Sequence, residues 1–139
     1  MTHGSLSWET WKAIAKFQTA LTGGMAAATL IAPRTLLRLF GVPPEPGTVL
    51  FFRGFGAALA FVAVIHHGAE DSRDTATVRT IALANLVEDG LLAILSANGI
   101  ARGTLGKAGW LLVGTFAAEV ALNAWVLTKL QDAPAEVAS

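Results

Sequence analysis

The chain has no cysteine. That absence excludes disulfides, thiolate metal sites and thiol nucleophiles together. Charge is scarce as well: Asp, Glu, Lys and Arg make up 14% of the 139 residues, against about a quarter in an ordinary soluble domain. Ten basic and ten acidic residues balance to a formal net charge of zero. No Lys/Arg cluster stands out, so neither a nucleic-acid surface nor a strongly anionic partner is expected. Three histidines, one of them at position 3, are too few for a dedicated metal cage. No repeat of solenoid type is present, and the connections between apolar stretches leave no room for a second domain.

What fills the chain instead is apolar: 53% of residues are hydrophobic, gathered into four stretches of roughly 20 residues, each about as long as bilayer hydrocarbon is thick. The expected fold class is all-α: an integral membrane four-helix transmembrane bundle, one domain over 1–139. Its spans are expected at about 13–32, 48–67, 77–97 and 108–130. Between the first two, RTLLRLF (34–40) reads as a short amphipathic interfacial helix, ended by Gly41 and the prolines at 43, 44 and 46.

In the first span Lys16 can snorkel outward. Thr19, Gly23 and Ala27 fall four apart, as do Gly24 and Ala28, which gives a small-residue face for close helix packing. A secretory signal is rejected because the glycine pair interrupts the apolar run and three more spans follow. Trp8 and Trp11 read as headgroup-level anchors, and Trp110 and Trp125 fall toward opposite ends of the fourth span. The tail from Gln131 to Ser139 reads as frayed.

The functional clue is polar residues inside these spans. Glu88 and Asp89 sit side by side in the middle of the third, and Asn85 precedes them by a turn. A carboxylate at mid-bilayer costs roughly 2.5 to 3.5 kcal/mol on insertion scales, so these acids are expected to face a cavity, a partner or water. In the fourth span Thr115, Glu119 and Asn123 recur at i, i+4 and form a polar line. Arg53 is the only arginine clearly inside a span, expected to pair with an acid or to snorkel, and His66 lies near the end of span two. If the spans alternate in direction, Glu88, Asp89 and Glu119 share the mid-bundle depth, with Arg53 and Thr115 to one side and Asn85, Asn123 and His66 toward the other.

Three carboxyls at one depth suit a division between a protonated acid and a carboxylate, which general acid/base chemistry uses. The expectation is a small membrane enzyme that isomerises, cyclises or opens an epoxide in a lipophilic small molecule. Glu88, Asp89 and Glu119 would be catalytic, while Arg53, Asn85, Asn123, Thr115 and His66 would bind substrate. No cofactor and no metal are expected; the partners are the hydrophobic substrate and membrane lipid, with homo-oligomerisation open. The alternatives are a proton-coupled exporter and a non-catalytic accessory subunit. Small multidrug exporters carry their essential glutamate in the first span, which here has no acid. Five Lys/Arg on each side leave orientation tied.

LFGVP (39–43) followed by FFRGFGAALAF (51–61) resembles a segment of the small four-span bacterial membrane proteins termed DoxX-like. The resemblance implies a four-helix bundle in a bacterial inner membrane and carries no catalytic residue onto this chain. The polar inventory is similar in kind to that of membrane sterol isomerases, an analogy of chemistry only.

Overall fold

The computed structural model describes residues 6–131; His3 and the tail from 132 lie outside them. Among the described residues every regular element is a helix: α1 Trp8–Ile31, α2 Pro33–Leu39, α3 Pro46–Gly68, α4 Thr75–Ala101 and α5 Gly109–Gln131. Helices α3, α4 and α5 are each long and apolar enough to cross a membrane. Helix α1 meets that test only together with α2, from which it is bent by 103°. Lys12, Lys16 and Gln18 dilute its first turns. By length and composition this is a multi-pass membrane protein with three such helices, or four if the bent pair is counted as one.

The ends of the helices follow local chemistry. α1 starts at Trp8, earlier than its apolar run, because the Ser7 hydroxyl oxygen accepts the Thr10 N–H at 3.1 Å. Pro33 restricts Ala32 and opens α2 at its first position, so the chain turns there. α4 runs to Ala101, four residues beyond its expected end at 97. Gly103 (φ 72°) then closes it: Thr104 N–H bonds the Gly99 carbonyl at 2.9 Å and Gly103 N–H the Ile100 carbonyl at 3.0 Å. The same double closure ends α2, through Gly41 (φ 73°), Val42 N–H to Leu37 O at 2.8 Å and Gly41 N–H to Arg38 O at 3.0 Å. The two turns touch, since Gly106 N–H donates to Phe40 O at 2.7 Å.

Helix α1 packs along α3, and α4 along α5. The first pair approaches closely at Gly56, where an added Cβ would lie 2.5 Å from Thr29 Oγ1. Small residues make that approach feasible. The two pairs are clamped together at one end by a buried cluster of Trp11, Ala15, Ala69, Val78, Ala82 and Val126. Trp11 is 1% exposed and donates from Nε1 to Ala69 O at 3.0 Å. It is therefore a core residue, not the headgroup anchor expected from its place near the chain start. Lys12 pairs with Asp71 on the adjoining surface.

Asp74 caps α4 at the same end. Its carboxylate accepts the Thr77 hydroxyl, the Thr77 N–H at 2.9 Å and the Ala76 N–H at 3.2 Å, and these bonds, the Thr77 hydroxyl first, hold its pKa below the usual 3.8. A depressed folded-state pKa contributes stability that is present above the unfolded value and lost as pH falls through the folded one. Asp74→Ala is accordingly expected to lower the melting temperature at neutral pH. The difference from wild type should shrink as pH falls through the acid range and the carboxylate is protonated. Melting curves across that range check it; a constant difference would assign the loss to something other than the ionised cap.

Candidate functional site

Above the apolar clamp, each long helix contributes to the same sequence of layers. The first is polar. Gln18 of α1, 1% exposed, donates from Nε2 to Glu119 Oε2 at 2.9 Å and to Asn123 Oδ1 at 3.2 Å, both on α5. The Asn123 amide in turn donates to the Glu119 backbone carbonyl at 2.9 Å. Across the interior, His66 Nε2 of α3 lies 3.1 Å from Asn85 Oδ1 of α4. An imidazole N–H on Nε2 would donate to that oxygen, which can only accept. The Gln18 and His66 bonds each join one helix pair to the other. They do so in an interior where buried polar groups need partners.

The next layer is a small recess of about 30 Å³ whose walls include Asn85, Glu88, Asp89, Thr115 and Glu119. Glu119 is held in place by Gln18, whereas Glu88 and Asp89 make no side-chain hydrogen bond among the described residues. Asn85 Nδ2, in a residue 6% exposed, has no partner among them. Gln18 Oε1 and His66 Nδ1 are buried without partners as well. Among the described residues no three His, Asp or Glu side chains group as a metal site would require. The recess thus presents carboxyls, a hydroxyl and an unpaired amide.

Beyond it the helix pairs separate around an apolar chamber of about 340 Å³, walled by Phe52, Phe55, Leu92, Leu112 and Phe116 and roofed by Leu36 and Phe40 at α2. That volume falls within the range of small-molecule sites, roughly 300 to 1,000 Å³. The recess and the chamber adjoin: Leu21, Met25, Leu92, Thr115 and Phe116 line both. The bend at Ala32 matters here because it brings Leu36 and Phe40, at α2, to the chamber wall.

Of the residues singled out in the sequence, Glu88, Asp89, Glu119, Asn85 and Thr115 meet at the recess. Asn123 lies one turn behind Glu119, and His66 lies behind Asn85; both are buried supports and neither is a wall residue. Arg53 is not brought to the site. It is exposed on α3 and has no ion pair or side-chain hydrogen bond among the described residues, so it holds none of the three acids ionised by contact. The reason is helical register: Phe52 faces the chamber, and the next residue points about 100° away from it. Gln18, which organises the polar layer, is not among the residues the sequence singles out, because it stands near Lys16 at the entry to α1. A signal is present all the same, since Trp11, Ala15 and Gln18 fall at i, i+4 and i+7 on one face.

Comparison with known proteins finds no counterpart: no family model, no curated protein and no solved structure matches the chain.

Proposed function

We propose that the chain is a four-span bundle of a bacterial inner membrane, related to the DoxX-like proteins, in which α2 lies at the interface. We propose further that it binds a lipophilic small molecule in the chamber and rearranges it by acid/base chemistry in the recess. One observation carries this reading: an apolar chamber of ligand size adjoins, through five shared wall residues, a recess lined by three carboxyls. An apolar pocket with a few convergent polar groups is the usual form of a small-molecule site. Carboxyls inside a membrane are costly unless they work. Interhelical glue accounts well for Gln18, Asn123, His66 and Asn85, which bond across helix pairs. It does not account for Glu88 and Asp89, which bond to no other side chain among the described residues.

In the reaction, one carboxyl gives a proton to an oxygen or a double bond of the ligand. A second, as carboxylate, takes a proton from a neighbouring carbon. The ligand keeps its composition, so isomerisation, cyclisation or epoxide opening to an unsaturated alcohol all fit without redox change. The two carboxyls end with their protonation exchanged and reset by proton transfer within the recess. Glu119, fixed by Gln18, is the better placed to act in one orientation, and Glu88 and Asp89 are free to swing.

The test of the binding step is Leu112→Trp, which fills the chamber from a wall residue that does not line the recess. Lipophilic ligands carried through purification, detected by native mass spectrometry, should be lost while the melting temperature holds. Retention of the same ligands by a folded Leu112→Trp protein would sink the chamber as the binding site.

A further inference from the structure

Building on that reading, we infer that the site is made for a neutral lipophile of about ten to twelve carbons bearing a single small oxygen function, a ketone, epoxide or hydroxyl, that accepts a hydrogen bond from Asn85. Two cavity sizes and one unsatisfied donor lead to this class. The chamber offers about 340 Å³, and at roughly 30 Å³ for each water-sized group of liquid volume it takes about eleven such groups. Its walls are largely phenylalanine, leucine and methionine, so the body it holds is apolar.

The recess that would take the polar end offers only about 30 Å³. At the same roughly 30 Å³ for each water-sized group, there is space for one oxygen function and not for a phosphate, a choline or a sugar. The sign of the groups narrows the class further. Glu88, Asp89 and Glu119 already place three carboxyls around this space, and an anionic head would bring a fourth into a setting where like charges repel strongly. The group that remains to be answered is a donor. Asn85 Oδ1 lies 3.1 Å from His66 Nε2, and Asn85 Nδ2 has no partner among the described residues. Asn85 is a wall residue of the recess and only 6% exposed, so its N–H groups meet no bulk water. A buried donor left unsatisfied costs free energy, and a small turn of the Asn85 side chain, which lines the recess, would let a carbonyl, ether or hydroxyl oxygen there satisfy it. Asn85 then orients the reacting oxygen while the carboxyls exchange protons beside it.

The experiment is competition for a photolabel in nanodiscs. An undecanone bearing a diazirine is crosslinked to the full chain, and undecane, 2-undecanone and undecanoate are compared as competitors. In wild type, 2-undecanone should displace the label at roughly tenfold lower concentration than undecane, as one hydrogen bond to an otherwise unpaired donor predicts. Undecanoate should be the weakest of the three. In Asn85→Leu the advantage of ketone over hydrocarbon should disappear while undecane still competes, which also shows that the chamber has stayed folded. Equal displacement by ketone and hydrocarbon in wild type would overturn the inference and leave the apolar chamber standing; this comparison needs no variant, so it holds even if Asn85→Leu fails to fold. Stronger competition by undecanoate than by the ketone would overturn it too. Absence of specific labelling altogether would remove both this inference and the ligand-binding reading beneath it.

Discussion

Asp89→Asn and Glu119→Gln are each expected to cut turnover by at least about 100-fold, the usual scale of a positioned acid or base, while the folded protein still holds its ligand. Both substitutions keep the shape of the side chain and remove its ability to give or take a proton. In Glu119→Gln the new amide oxygen can still accept from Gln18, so the link at 2.9 Å between α1 and α5 has a substitute. Asp89 makes no side-chain bond to lose among the described residues. Retention of the ligand in both variants separates loss of chemistry from loss of binding.

The assay belongs in detergent, with no gradient and with substrate drawn from whatever native mass spectrometry finds on the wild type. An exporter would convert nothing there, and would instead show proton flux in liposomes that Glu119→Gln abolishes. Full turnover in both variants would leave these two acids without a catalytic role. Glu88 would then be the remaining carboxyl of the recess to examine.

The largest structural effect is expected from Trp11→Ala. Removing a fully buried tryptophan typically costs about 3 to 5 kcal/mol. Two effects compete in this chain. Lipid tails are as apolar as a protein interior, so a helix released into the bilayer loses little transfer energy. The cavity left among Ala15, Ala69, Val78, Ala82 and Val126 remains, because alanines and valines cannot reach across to fill it. The lost bond from Nε1 to the Ala69 carbonyl adds to this. The expected cost is therefore nearer about 3 kcal/mol, visible as a large shift in an SDS or thermal unfolding curve. Trp11→Phe, which fills much of the space but cannot donate, should cost only about 1 kcal/mol. Equal effects of the two substitutions would mean that the hydrogen bond, not the packing, holds the clamp.

The consequence for the site is geometric. Gln18 stands seven residues beyond Trp11 on the same face of α1, about 10 Å along the axis. A loosened clamp lets the helix pairs shift, and the Gln18 bonds to Glu119 and Asn123 are made between those pairs.

The sequence by itself determined the apolar class of the chain, because helices that must satisfy every backbone group internally announce themselves by length and hydropathy. It also determined which polar residues share a depth. Glu88, Asp89 and Glu119 sit in the middle of their runs, and about 1.5 Å per residue converts position to height. Helix ends were less legible. α4 continues to Ala101 because Gly103 sets its closure, while the apolar pattern stops earlier.

What only the tertiary structure decided is rotation and partnership. Depth along a helix follows from counting residues, but the azimuth of each helix depends on which face its neighbours fill. That is why Arg53, at a depth that suited the site, turns outward beside an inward Phe52. It is also why Gln18, unremarked beside Lys16, became the bond between two helix pairs. Nor could any single helix foretell the chamber. It exists because α1 packs on α3 and α4 on α5 more closely than the pairs pack on each other, with Trp11 clamping one end and the bent α2 covering the other.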